Sequence, residues 1–299
     1  MAGNQIQKNY ALTRNYKSPT GFITYYYYIK KFYFTRGEGL FRLMLLAVDV
    51  GNTQTVLGVY NGDKLVHMWR LATSVDSTSD EMRIKLHALL EAENLDRHQI
   101  NGAVLASVVP ALTHTWEKVC QRHFGIEPVV VSSQACADML GIAPGTFTEL
   151  GADRVADAVA AISLYQAPVI VVDFGTATNI EVIDAEGHFA GGIIAPGVES
   201  SMRALFSRAS LIPAVELEDP GVAVGRNTTE AVQVGIVVGE AARIDGLVER
   251  IQKQLGYEAT VVATGGLAHR IAPMSSVINE INLELTLQGL LRIYHQLTL

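Results

Sequence analysis

Two segments of this chain share one pattern. The first is Leu45-Leu46-Ala47-Val48-Asp49-Val50-Gly51-Asn52-Thr53, and the second is Val169-Ile170-Val171-Val172-Asp173-Phe174-Gly175-Thr176-Ala177-Thr178. Each is an apolar run, then Asp-x-Gly, then small hydroxyl or amide residues, then a second apolar run. That pattern predicts a buried strand that ends in a tight turn and returns as a hairpin. Its occurrence twice constrains the chain to a duplicated α/β domain, with two phosphate-facing loops on either side of a cleft.

The bulk composition agrees. The chain has 299 residues, 49% of them hydrophobic and 18% charged, enough for a large core or two ordinary domains and unlike a disordered chain. Cys120 and Cys136 lack metal-ligand spacing and read as reduced, buried residues of a cytoplasmic protein. The net charge is −7, but residues 1–43 carry a balance of +6, which leaves −13 on the remainder. An acidic body is poor at gathering phosphate backbones, so no nucleic-acid partner is expected.

Residues 1–43 include the basic, aromatic run Tyr25 to Phe34. It falls short of the ~20 apolar residues of a membrane span and lacks the layout of a signal peptide, so no membrane partner is expected. A clean strand-and-turn domain begins at Met44. The expectation is therefore that residues 1–43 are a non-native or disordered extension, with Met44 as the functional start.

Further along, Asn61-Gly62-Asp63 signals a hairpin leading to a strand over Leu65–Leu71. A helix capped by Ser79-Asp80 follows, then a strand over Ala103–Val109 stopped by Pro110, a helix through Trp116, and a strand over Pro128–Val131. Gly145–Gly151 reads as a loop and Asp153–Ser163 as a helix. After the second motif come a strand over Asn179–Asp184, helices over Val198–Ser207 and Thr229–Lys253, a strand over Thr260–Ala263 and a closing helix over Leu285–Tyr294. Alternating strands and helices predict mixed sheets covered by helices. The domains divide as 44–160 and 161–299.

Each motif admits a functional and a plain reading. A Gly at a strand end lets backbone N–H groups approach an anion, and Asn52 and Thr53 add donors. Asp49 repels phosphate, so it belongs beside one only with Mg²⁺ between them, mostly through water. Taken alone, the same loop is an ordinary hairpin turn; the repetition favours the functional reading. In the second copy Thr176 can bond a β- or γ-phosphate and Asp173 can hold a cation. Gly265-Gly266 permits close approach to a ring or ribose, or is a plain loop. Gly151-Ala152-Asp153-Arg154 opens a helix, where Asp153 is a candidate base for a hydroxyl and Arg154 a candidate clamp for a carboxylate or phosphate. Alternatively, Asp153 merely stabilises its helix beside a surface Arg154. No P-loop signature is present. Together these residues describe phosphoryl transfer, which depends on positioning, a metal ion and fixed donors.

At these residues the chain resembles the type III pantothenate kinases of the acetate and sugar kinase/Hsp70/actin superfamily. The resemblance covers 44–299 and rests on the two Asp-x-Gly motifs, Gly151–Arg154, Gly191-Gly192 through Pro196-Gly197, Gly225-Arg226-Asn227-Thr228, Thr264–Leu267 and Leu285–Leu290. It implies two actin-like (ribonuclease H-like) domains around a cleft, and ATP-dependent conversion of pantothenate to 4′-phosphopantothenate, the first step to coenzyme A. It also implies an ATP loop of Asp49, Val50, Gly51, Asn52, Thr53, Gln54, Thr55 and Val56, with Thr176 touching ATP. Asp153 would be the catalytic base, while Gly151, Ala152, Arg154 and Thr228 would join it in binding pantothenate. Asp173 would hold a monovalent cation, K⁺ or NH₄⁺. A homodimer is implied, with the acceptor site bordering its interface. Many members carry a substrate-contacting Tyr before the Gly-Ala-Asp-Arg motif; here Phe147 stands in that stretch, without a hydroxyl. Two other readings share the motifs: a kinase of the same superfamily acting on another small hydroxy acid or sugar, and a non-catalytic regulatory relative.

Overall fold

A computed structural model describes residues 44–142, 149–208 and 215–298. The extension at 1–43, Phe147 and most of the expected Gly145–Gly151 loop lie outside these.

The first half is built on three antiparallel strands, β1 (Met44–Val50), β2 (Gln54–Asn61) and β3 (Lys64–Ala72). Gly62, at φ 61°, makes the turn between β2 and β3. Helix α1 (Ser79–Ala92) begins at its expected cap, so the actual cap lies one residue earlier. Thr78 is the N-cap, and its hydroxyl and backbone N–H form a capping box with Glu81. Strand β4 (Ile100–Ser107) runs parallel to β1, then come α2 (Pro110–Phe124), the short β5 (Val129–Val130), α3 (Ala137–Leu140) and α4 (Ala152–Leu164). The sheet order is β3-β2-β1-β4-β5.

The second half repeats this plan. It comprises β6 (Val169–Phe174), β7 (Ala177–Ile183), β8 (Phe189–Pro196), α5 (Val198–Arg208), α6 (Thr228–Gln233), α7 (Gly239–Leu255), β9 (Thr260–Thr264), α8 (Ala268–Ile271), β10 (Glu280–Ile281) and α9 (Leu285–Thr298). A π-helical turn over Val234–Val238 joins α6 to α7 and breaks the single helix expected over Thr229–Lys253. The sheet order is β10-β9-β6-β7-β8, with β6 antiparallel to β7 and parallel to β9. β6 thus occupies the place of β1, and the duplicated α/β architecture is borne out.

The halves share a middle layer. Side chains alternate along a strand, so Leu45 and Ala47 of β1 and Val169 and Val171 of β6 face α4 and α9 in one core. The intervening residues, Leu46 and Val48 or Ile170 and Val172, face outward helices in two further cores. Burying one Leu or Val completely contributes about 1.5–3 kcal/mol, and these strands are buried on both faces. Helix α4 is Ala-rich, so it can be enclosed on nearly every side, with Ala156, Ala158, Ala160 and Ala161 fully buried. Gly289 of α9 lies against the backbone carbonyl of Ala156 with no room for a Cβ. The expected division at 160/161 falls inside this shared helix. No helix among the described residues is long and apolar enough to cross a membrane.

Candidate active site

The strand period that fills the middle layer also places its charges. Asp49 continues the Leu45, Ala47 series and Asp173 continues Val169, Val171, so both carboxylates emerge at strand ends where the packed layer gives way to a cleft. The cleft encloses about 430 Å³.

Two turns form its rims. Gly51 N–H donates to the Gln54 carbonyl at 3.0 Å, and a Cβ on Gly51 would sit 2.9 Å from that oxygen. The Thr73 hydroxyl holds the Gly51 carbonyl at 2.8 Å. Opposite, Gly175 N–H donates to the Ala177 carbonyl at 3.0 Å, and the Ser200 hydroxyl of α5 holds the Thr176 carbonyl at 2.8 Å. The turns meet at their tips, where the Thr53 and Thr176 hydroxyls lie 2.8 Å apart.

Helix α4 brings Asp153 to the cleft and buries Asp157 behind it. Asp153 Oδ1 accepts from the Arg154 backbone N–H at 2.8 Å, and a Cβ on Gly151 would sit 2.6 Å from that oxygen. One turn further on, Asp157 accepts from the Thr286 hydroxyl of α9 at 2.7 Å. The Arg154 Nε donates to Glu181 Oε1 of β7 at 2.6 Å, in a pair where Arg154 is 5% and Glu181 0% exposed. Arg154 is therefore not the surface arginine of the plain reading.

Crowding such groups away from water makes them basic. Burial, then the charges of Asp153 and Asp173, push Asp49 from 3.8 to about 8, against the pull of Arg70. Burial and Asp153 push Asp173 to about 7, again opposed by Arg70. Asp153 is raised mainly by burial, with its Arg154 amide hydrogen bond opposing. Burial also raises Asp157 well above its ordinary value, and Glu181 is raised against the pull of Arg154. Carboxylates held this way gain from a bound cation. Among the described residues no three His, Cys, Asp or Glu side chains form a metal-holding group.

Most expected residues converge here: Asp49, Gly51, Asn52, Thr53, Gln54, Val56, Gly151, Asp153, Arg154, Asp173 and Thr176 line the cleft, with Gly265 and Gly266. Gly265 has φ +90°, and a Cβ there would collide with the Asp173 carboxylate. Val50 is absent from the lining because strand alternation turns it into the outward core. Thr55 is buried and hydrogen-bonds Thr73 at 2.9 Å, and Ala152 packs in the middle layer. Thr228 is not brought to the cleft. It lines a separate groove of about 640 Å³ with Leu205, Arg226 and Ile236. Residues not foreseen are Arg70, Asp157, Glu181 and Thr286. Asp157 carried a signal, lying four residues after Asp153 on one helix; Glu181 carried another, alternating with Asn179.

Residues 45–250 match the sequence model of a family described as type III pantothenate kinase. A type III pantothenate kinase of an Exiguobacterium strain is 43% identical over 253 residues, covering 85% of this chain and 99% of the relative. One from Paramagnetospirillum magneticum is 44% identical, covering 85% and 97%. A solved Campylobacter jejuni structure, named for the Baf family of transcriptional activators, shares the fold with a TM-score of 0.52 at 19% identity, covering 84% of this chain and 98% of its own.

Proposed function

Since the chain belongs to the type III pantothenate kinase family, we propose that it transfers the γ-phosphoryl group of ATP to pantothenate, giving 4′-phosphopantothenate and ADP. The observation that carries this reading is the meeting of Thr53 and Thr176 in the cleft that Asp153 also lines. Donors from both halves converge there, in one cleft with a buried carboxylate.

In this reading the Asp49–Val56 turn and Thr176 bind the nucleotide phosphates through backbone N–H groups and hydroxyls. Asp153 accepts the proton of the pantothenate hydroxyl as its oxygen bonds to the γ-phosphorus. The bond to the β–γ bridging oxygen breaks and ADP leaves. Burial raises the basicity of Asp153 for this task. Mg²⁺, carried by ATP, would neutralise phosphate charge, with Asp49 beside it through water. Asp173 is proposed to hold a monovalent cation, K⁺ or NH₄⁺; its burial beside Asp153 suits a compensating positive charge.

Gly151, Ala152 and Arg154 are proposed to form the pantothenate site, with Arg154 near the substrate carboxylate. Arg154 lines the cleft while its Nε is engaged by Glu181. Thr228 lies in the groove beside α5. Its proposed contact with pantothenate requires that groove to adjoin an acceptor site, as a homodimer whose acceptor site borders the interface would allow. The two buried free cysteines fit a cytoplasmic protein.

The test is ADP release from ATP, Mg²⁺ and K⁺ with pantothenate, set beside a panel of small hydroxy acids and sugars. Turnover of pantothenate, lost in Asp153→Asn, supports the reading. Turnover confined to another acceptor contradicts it, and tight pantothenate binding without turnover favours a regulatory relative.

A further inference from the structure

The register of the first sheet sets three residues abreast. Asp49 of β1 pairs with Val56 of β2, and Val56 pairs with Arg70 of β3. Directly opposed residues share a face, so Arg70 emerges on the cleft side, two strand spacings (about 10 Å) from Asp49. The matching row in the second sheet is Asp173, Asn179 and Ile194, which ends without a charge.

The charge around the cleft gives this position its meaning. Asp49, Glu149, Asp153, Asp173 and Glu199 line it, and among the described residues the cationic side chains facing them are Arg70 and Arg154, with no lysine. Arg154 is engaged by Glu181 from below. Arg70 is exposed, and among the described residues no ion pair or hydrogen bond holds its guanidinium. Among the described residues, the guanidinium that a triphosphate entering this acidic cleft meets outside an ion pair is that of Arg70, standing on the same face as the first turn.

We propose that Arg70 binds the terminal phosphoryl oxygens of ATP and stabilises the charge that develops there during transfer. A planar guanidinium matches two phosphoryl oxygens, and fixed cations at a transferring phosphoryl group act where charge spreads over its oxygens. The inference rests on the reading that this cleft binds ATP.

Binding and kinetics of full-length Arg70→Gln and Arg70→Lys test it. Against a non-hydrolysable ATP analogue, with Mg²⁺, Arg70→Gln is expected to lose about tenfold in affinity and to bind ADP within twofold of wild type, with Arg70→Lys between. In turnover, Arg70→Gln is expected to lower kcat about 100-fold, to leave the pantothenate KM within threefold, and to recover part of its rate with added guanidinium ion. An unchanged ratio of triphosphate to diphosphate affinity overturns the proposal, as does a defect confined to the pantothenate KM. The affinity comparison needs no acceptor, so it decides Arg70 even if wild type fails to turn over pantothenate. A wild type that binds neither nucleotide overturns both.

Discussion

The hydroxyls of Thr53 and Thr176 lie 2.8 Å apart although 123 residues separate them in the chain. Each sits at the tip of a turn whose carbonyl is held from behind, by Thr73 on one side and Ser200 on the other. The two turns are thus one composite surface. Thr53→Ala and Thr176→Ala are each expected to raise the ATP KM by roughly threefold to tenfold. Because the hydroxyls touch, the double variant is expected to fall short of the product of the singles. Strictly multiplicative effects across the cycle would show that the turns act independently.

The raised carboxylates make the ligand-free protein sensitive to pH. Asp49 has a folded pKa of about 8 against an ordinary 3.8. The folded state therefore holds a proton that the unfolded state releases, and stability falls as pH rises between those values. The contribution is fully present below about 3.8 and fully lost above about 8. Asp49→Asn, a neutral isostere, is expected to gain on wild type in thermal midpoint as pH rises from 4 to 8, with the gap constant above that. A gap that stays flat or narrows with pH would refute the burial of this charge.

Glu181 holds Arg154, a proposed pantothenate ligand, at 2.6 Å. Removing one member of a buried ion pair costs about 3–5 kcal/mol, so Glu181→Ala is expected to fold poorly. Glu181→Gln keeps the shape and one acceptor oxygen. It is expected to remain folded, to raise the pantothenate KM, and to leave the ATP KM unchanged. An effect on ATP alone would separate Arg154 from the acceptor.

The close approach of α9 to α4 depends on Gly289, whose absent side chain faces the Ala156 carbonyl. Gly289→Ala forces a methyl group against the Ala156 backbone in the layer that carries Asp153 and Asp157. A loss of roughly 1–3 kcal/mol is expected in denaturant unfolding. Unchanged stability would mean that the two helices can separate freely.

Much of this was legible in the chain because it is local. An apolar run ending in Asp-x-Gly specifies strand, turn and return strand, and alternation fixes which face Asp49 and Asp173 occupy. Gly151–Arg154 announced a helix start bearing an acid. What escaped depended on pairing across elements. Arg70 enters the cleft only through its register with Val56, and Glu181 meets Arg154 only once α4 lies over β7. Val50 and Thr55 read as loop residues by proximity, but their side chains are buried away from the cleft. Thr228 ends the Gly225–Thr228 motif in sequence, yet it lies in another groove, bordered by α5 and the π turn. The π turn itself left no mark in the apolar run of Val234–Val238.

The most direct test is a crystal structure of the protein with a non-hydrolysable ATP analogue, Mg²⁺ and pantothenate. The γ-phosphoryl group is expected against the Thr53 and Thr176 hydroxyls, with the pantothenate hydroxyl within hydrogen-bonding distance of Asp153. A nucleotide bound outside this cleft, or a pantothenate hydroxyl turned away from Asp153, would contradict the proposed transfer.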